Sequence, residues 1–252
     1  MFSLALLSLA AVSNCDDPPK EPYDFFKLAL QWPYSYCKDP KHNCRRTIPK
    51  QFTIHGLWPQ KTKGKGKEKV EYCKTTELIT KDMLKGMKED MMGYWPDLTT
   101  NSFEKSVETW SYQWRKHGSC SSENLKPIPY FQKALALVKA NNLRSMLKKK
   151  GIEPHGQTYT VNSIVNAVKA ATSHYPDVIC IVEVKGKRST SYLEEIHLCF
   201  DDKAEVIRDC PYNPNFPTCM ENPGSKVRQA KFSSQDDAFG SINITAAATA
   251  AP

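Results

Sequence analysis

Residues 101–120 read NSFEKSVETWSYQWRKHGSC, and the organisation of the chain can be worked outward from them. Phe103, Val107, Trp110, Trp114 and His117 recur at steps of four and three, the period of an amphipathic helix. Asn101 is placed to cap it with Glu104 at the third helical position, and Gly118 to stop it. Gln113, Lys116 and His117 then stand at i, i+3 and i+4, so an amide, an ammonium and an imidazole share one face. That face could handle a phosphate. Taken alone, a histidine at a helix end is more often a capping or half-buried residue than a catalyst.

Toward the C-terminus, Tyr130 to Lys150 reads as a second amphipathic helix ended by Gly151. Val161 to Thr172 is a third, carried by Val161, Ile164, Val165 and Val168 and followed by Pro176. The period then changes: Val178 to Val184, Tyr192 to Phe200 and Ala204 to Arg208 are alternating or β-branched runs, expected to form an antiparallel meander. Toward the N-terminus, Tyr23 to Trp32 alternates as a strand. Gln51 to His55 does so again, with Phe52 and Ile54 on one face and Thr53 and His55 on the other. Lys61 to Lys69, KTKGKGKEK, has no apolar residue and two glycines and reads as a solvated loop. Strands, then helices, then strands argue an α+β fold: one disulfide-stabilised domain over 14–224, an antiparallel sheet packed with several helices.

The chain has 252 residues and 40% apolar content, enough for a sizeable core. Its net charge of +8 is spread along its length, which suits a polyanionic partner but also a basic globule of unrelated function. Residues 1–13, MFSLALLSLAAVS, are apolar, uncharged and end in small residues, as a short signal peptide would, although the usual basic start is missing. With Cys15 at the processing site, eight of the nine cysteines remain, an even set pointing to four disulfides and a secreted protein. No CxxC pair has zinc spacing, and no metal or other cofactor is expected. Asn243-Ile244-Thr245 is the glycosylation triplet. Residues 225–252 are expected to be a disordered tail. No stretch approaches the roughly 20 apolar residues of a membrane helix, so no membrane partner is expected, and the chain is read as a monomer.

Phe52-Thr53-Ile54-His55-Gly56-Leu57-Trp58-Pro59 and Trp114-Arg115-Lys116-His117-Gly118-Ser119-Cys120 resemble the two active-site segments of the ribonuclease T2 family. The resemblance runs from Tyr23 to about Cys219, and within the family it is greatest to the plant S-RNases of pollen–pistil self-incompatibility. It implies a secreted endoribonuclease that cleaves single-stranded RNA to 2′,3′-cyclic phosphates, with pollen-side recognition proteins as further partners. His117 would take the 2′-OH proton, His55 would protonate the 5′-oxygen, and Lys116 would offset charge in the transition state. DNA, lacking the 2′-OH, is excluded as a substrate.

Gln113 and Tyr112 stand where the family often has Glu and His. The Gln113 amide can bond a phosphate oxygen but cannot orient Lys116 by charge, so reduced activity is expected. Trp58, Tyr112 and Trp110 are candidate base-stacking residues, and Gln31 a candidate reader of a base edge. Trp110 and Trp114 also fit simple core packing, as do Trp32 and Trp95. His42, His155, His174 and His197 are read as surface or strand residues. The family framework pairs Cys73 with Cys120, Cys199 with Cys210, Cys180 with Cys219 and Cys37 with Cys44. A general secreted ribonuclease and a non-catalytic secreted binding or storage relative are the competing readings.

Overall fold

The structure, a computed structural model, describes residues 23–62, 70–75, 77–186, 188–211, 219 and 228–239. The expected signal peptide at 1–13, Cys15, residues 63–69 of the expected lysine-rich loop and Asn243 lie outside the described residues. Strand β1 (Phe25–Gln31) leads into a turn of helix, α1 (Pro33–Tyr36), started by Pro33. Strand β2 (Thr53–Gln60) follows, then the short helices α2 (Lys81–Leu84) and α3 (Lys88–Tyr94). The middle of the chain carries α4 (Phe103–Lys116), α5 (Pro127–Ala140) and α6 (Leu143–Lys148). Strand β3 (Thr158–Thr160) and α7 (Val161–Thr172) precede β4 (Asp177–Lys185), β5 (Arg188–Phe200) and β6 (Ile207–Arg208). The described chain ends in β7 (Gln229–Lys231) and α8 (Gln235–Phe239).

The α+β architecture follows from one seven-stranded sheet. Strand β5 is its hub. Along one side it pairs antiparallel with β1 and meets β7 in parallel at Tyr192; along the other it pairs antiparallel with β4 and then β6. One face buries Leu28, Leu30, Ile54, Leu57, Val178, Ile196 and Leu198 in a single core with Trp110, Trp114, Tyr130 and Phe131 from the helices. Fully burying one such side chain contributes about 1.5–3 kcal/mol. The opposite face carries a separate cluster of Phe25, Cys199 and Cys210. Four disulfides join Cys37–Cys44, Cys73–Cys120, Cys180–Cys219 and Cys199–Cys210.

Three expectations are corrected. The α4 cap is Ser102, whose Oγ accepts from Lys105 N and donates to Glu104, rather than Asn101. The long helix expected over 130–150 is two helices, because Asn142 closes a new N-cap on Ser145 N after α5 has ended at Asn141. Residues 228–239, within the tail expected to be disordered, are part of the fold, whereas 225–227 and 240–252 lie outside the described residues. Strand β7 pairs with β3, Phe232 is fully buried against Trp32 at a centroid distance of 4.8 Å, and the Trp32 indole donates to Ser233 O. A domain boundary at 224 would cut off residues that this core buries.

Candidate active site

Helix α4 delivers its residues by burying Phe103, Ser106, Trp110 and Trp114, with the Trp110 indole donating to Trp95 O and the Trp114 indole to Glu77 O. The rotation this imposes carries Tyr112, Gln113 and Lys116 to the edge of the core. His117 is the C-cap residue, its N–H closing on Gln113 O. Gly118 lets the chain turn there by close approach: a Cβ would meet Trp114 at 2.4 Å, whereas its φ is not in the left-handed region. Two residues on, Cys120 is bonded to Cys73, and Tyr72 N–H donates to Lys116 O at 2.8 Å. The 70–73 segment is thereby fastened to the helix end.

Strand β2 contributes through a bulge. Ala29 pairs with Gly56 but Leu30 pairs with Ile54, so His55 is the extra residue. Both Ile54 and Leu57 can then face the core although an odd number of steps separates them, while His55 and Trp58 stand on the other side, half-buried.

These elements enclose a cleft of about 450 Å³ lined by Lys27, His55, Trp58, Gln60, Lys61, Val70, Glu71, Tyr112, Gln113, Lys116 and His117. Trp58 is the partition within it: its ring centroid is 5.0 Å from that of His55 and 5.2 Å from that of His117. Its indole N–H donates to Gln113 Oε1 at 3.2 Å. Because an indole nitrogen can only donate, this fixes the amide's orientation and leaves the Gln113 NH₂ as donor. Gly56 is required beneath the pair: a Cβ would sit 2.1 Å from Trp58 Nε1 and 2.6 Å from Gln113 Oε1.

The two imidazoles lie in opposite electrostatic settings. His117 is 6% exposed, its Nδ1 is buried without a protein partner, and burial, reinforced by the charges of Lys116 and His55, lowers its pKa to about 3. The ring is therefore neutral at physiological pH, with Nε2 the nitrogen left to exchange a proton. His55, its side chain 40% exposed, holds its Nδ1 2.5 Å from the Glu195 carboxylate. Lys116 lies beside the Tyr112 ring and 4.0 Å from Glu71; the Tyr112 hydroxyl, assisted by Glu71, raises its pKa and keeps it cationic.

Of the residues singled out from sequence, His55, Trp58, Tyr112, Gln113, Lys116 and His117 meet on this cleft. Trp110 does not: it is fully buried against Phe103 with its indole N–H engaged, so a base-stacking role is overturned. Gln31 is 7% exposed, in register between Thr53 and Glu195, and does not line the cleft. Sequence reasoning passed over Glu195, Glu71 and Lys27. The signal for Glu195 was the pair Glu194-Glu195 between Leu193 and Ile196, both fully buried, a spacing that strand alternation permits only with a bulge; Ile179 pairs with Glu195 but Cys180 with Leu193, so Glu194 is the extra residue on β5. Among the described residues no group of three or more His, Cys, Asp or Glu could hold a metal ion, and no helix is long and apolar enough to cross a membrane.

Residues 23–210 match the family model described as Ribonuclease T2 family. Ribonuclease S-2 of Antirrhinum hispanicum is 35% identical over 225 residues, 88% of this chain and 89% of the relative. Intracellular ribonuclease LX of Solanum lycopersicum is 34% identical over 221 residues, 86% of this chain and 88% of the relative. Among solved structures, RNase NT in complex with 5′-AMP superposes with a TM-score of 0.68 at 30% identity, covering 84% of this chain and 97% of that one.

Proposed function

The chain belongs to the ribonuclease T2 family and is a T2-type endoribonuclease; from that premise we propose that it cleaves single-stranded RNA by transphosphorylation, with His117 as base and His55 as acid. His117 Nε2 accepts the 2′-OH proton as the 2′-oxygen attacks phosphorus. The P–O5′ bond breaks, the leaving 5′-oxygen takes a proton from His55, and a 2′,3′-cyclic phosphate results. Lys116 and the Gln113 NH₂ face the non-bridging oxygens, where negative charge concentrates in the transition state. Trp58 and Tyr112 supply ring faces for unpaired bases.

The observation that carries this reading is the pairing of a buried, neutral imidazole with a carboxylate-bound one in a single lysine-lined cleft. It also argues for retained chemistry over a non-catalytic relative. Gln113 lacks the charge that a glutamate would bring to Lys116, but Glu71 supplies a carboxylate 4.0 Å away from another segment. The four disulfides suit a secreted protein, and the likeness to Ribonuclease S-2 supports a role in pollen–pistil self-incompatibility with pollen-side partners. The comparable likeness to an intracellular ribonuclease favours a general, S-like role as the second reading. Expression confined to the pistil separates the two.

The test is cleavage of single-stranded RNA by the oxidised protein beside a His117→Ala variant. Cyclic-phosphate ends from the first and a loss of about 10²- to 10⁴-fold in the second are expected. Equal rates in the two would remove His117 from the mechanism.

A further inference from the structure

Below the cleft floor the sheet carries four ionisable groups that the reaction scheme leaves unused. Glu195 on β5 is 8% exposed, and each of its carboxylate oxygens faces a different imidazole: Oε1 lies 2.5 Å from His55 Nδ1, and Oε2 lies 2.5 Å from His197 Nε2. His197, 5% exposed, turns its Nδ1 toward Asp177 of β4 at 3.7 Å, a distance for ion pairing rather than hydrogen bonding. Asp177 Oδ2 accepts from Lys27 of β1 at 3.1 Å, and Lys27 itself lines the cleft. The line His55, Glu195, His197, Asp177, Lys27 thus crosses β2, β5, β4 and β1, leaving the cleft at one wall and returning to it at another.

We propose that Glu195 is a positioning residue for His55, and that His197, Asp177 and Lys27 form the buried array that holds its carboxylate in place. The inference rests on the reading of His55 as the acid. A carboxylate can only accept, so His55 must present Nδ1–H to Glu195 and turn Nε2 to the cleft, the nitrogen from which a proton reaches the leaving oxygen. With both oxygens engaged, the carboxylate cannot rotate away. Burial opposes the charge on His197, but the Asp177 and Glu195 carboxylates outweigh it, raise its pKa and favour the cationic ring. Two anions, Glu195 and Asp177, are then balanced by two cations, His197 and Lys27. The His197 contact holds the Glu195 carboxyl below its usual range alongside that of His55, so the anion does not depend on His55 alone. That matters for a group that must lose and regain a proton in every cycle. The other titratable groups facing His55 are Glu194 on β5, Lys116 at the end of α4 and His117 at its C-cap.

The experiment compares wild type, Glu195→Gln and His197→Gln, each checked for folding by circular dichroism. It reads kcat and KM on single-stranded RNA together with the His55 Nδ1 proton and nitrogen signals in ¹⁵N-histidine-labelled protein. A folded Glu195→Gln is expected to lose at least about tenfold in kcat, within the roughly 10²- to 10⁴-fold that a general acid supplies, with KM within about twofold, and to lose the hydrogen-bonded Nδ1–H signal. His197→Gln is expected to show the same changes, smaller. A folded Glu195→Gln that keeps kcat or the Nδ1–H signal overturns the proposal; should it not fold, His197→Gln with both unchanged overturns it. Wild type inert toward RNA but with a Glu195-dependent Nδ1–H signal would fail the catalytic reading and leave the positioning contact standing.

Discussion

Gly56 and His117 show how much one residue can decide here. A methyl group at Gly56 has no room between the Trp58 indole and the Gln113 amide, so Gly56→Ala must displace the ring that separates the two imidazoles. Steady-state assay should show kcat/KM lowered by at least about tenfold, since misplacements near 1 Å can cost about 10²-fold. At His117 the sign of the pH effect follows from its depressed pKa of about 3. Protonation disables a base, and this ring takes its proton less readily than an ordinary histidine, so the acid limb of kcat/KM should fall well below pH 6.5. The same depression makes the unfolded chain bind more protons than the folded one between about pH 6.5 and 3, so His117 costs stability as the pH falls through that window. A pH–rate profile with its acid limb at 6.5 or above would contradict the buried, neutral ring.

Among the elements, the end of α4 matters most, because three separate constraints converge on it. The Ser102 cap sets where the helix begins, the buried tryptophans set its rotation, and the Cys73–Cys120 bond fixes its exit while pulling Val70 and Glu71 to the cleft. With the two cysteines 47 positions apart, the closed loop is worth about 4 kcal/mol in the chain-entropy model. Cys120→Ala should therefore lower Tm by roughly 8–16 °C for a domain of this size and reduce activity with it, as measured by calorimetry and RNA cleavage. An unchanged Tm would show that the bond does not constrain the unfolded chain. The strands make the matching contribution through bulges: one aims His55, the other allows Leu193 and Ile196 both to enter the core around Glu194 and Glu195.

At the scale of the whole molecule, the sheet is closed by residues far apart in the chain. Phe232 packs on Trp32 and Phe52, Ser35 and Ser233 share a hydrogen bond, and Lys38 donates to Asp237 O, so the C-terminal segment holds α1 against the sheet. Phe232→Ala should cost about 3–5 kcal/mol, measurable by urea denaturation, because it leaves a cavity in a fully buried site. A loss below about 1 kcal/mol would mean that the segment is not part of the cooperative unit. By itself the sequence determined what is written locally: the helical periodicity of α4, the alternation of β1 and β2, and the two short motifs that carry His55, Lys116 and His117. These are legible because hydrophobic period and motif spacing depend on near neighbours. Only the tertiary structure decided that Glu195, 140 residues from His55, would grip it, that Glu71 would face Lys116, that Trp110 would be core, and that Gln229–Lys231 would pair with β3 in the sheet. The reason is register. A single bulged residue reverses which side chains face the core, and its position is set by strand pairing between distant segments, where local pattern carries no information.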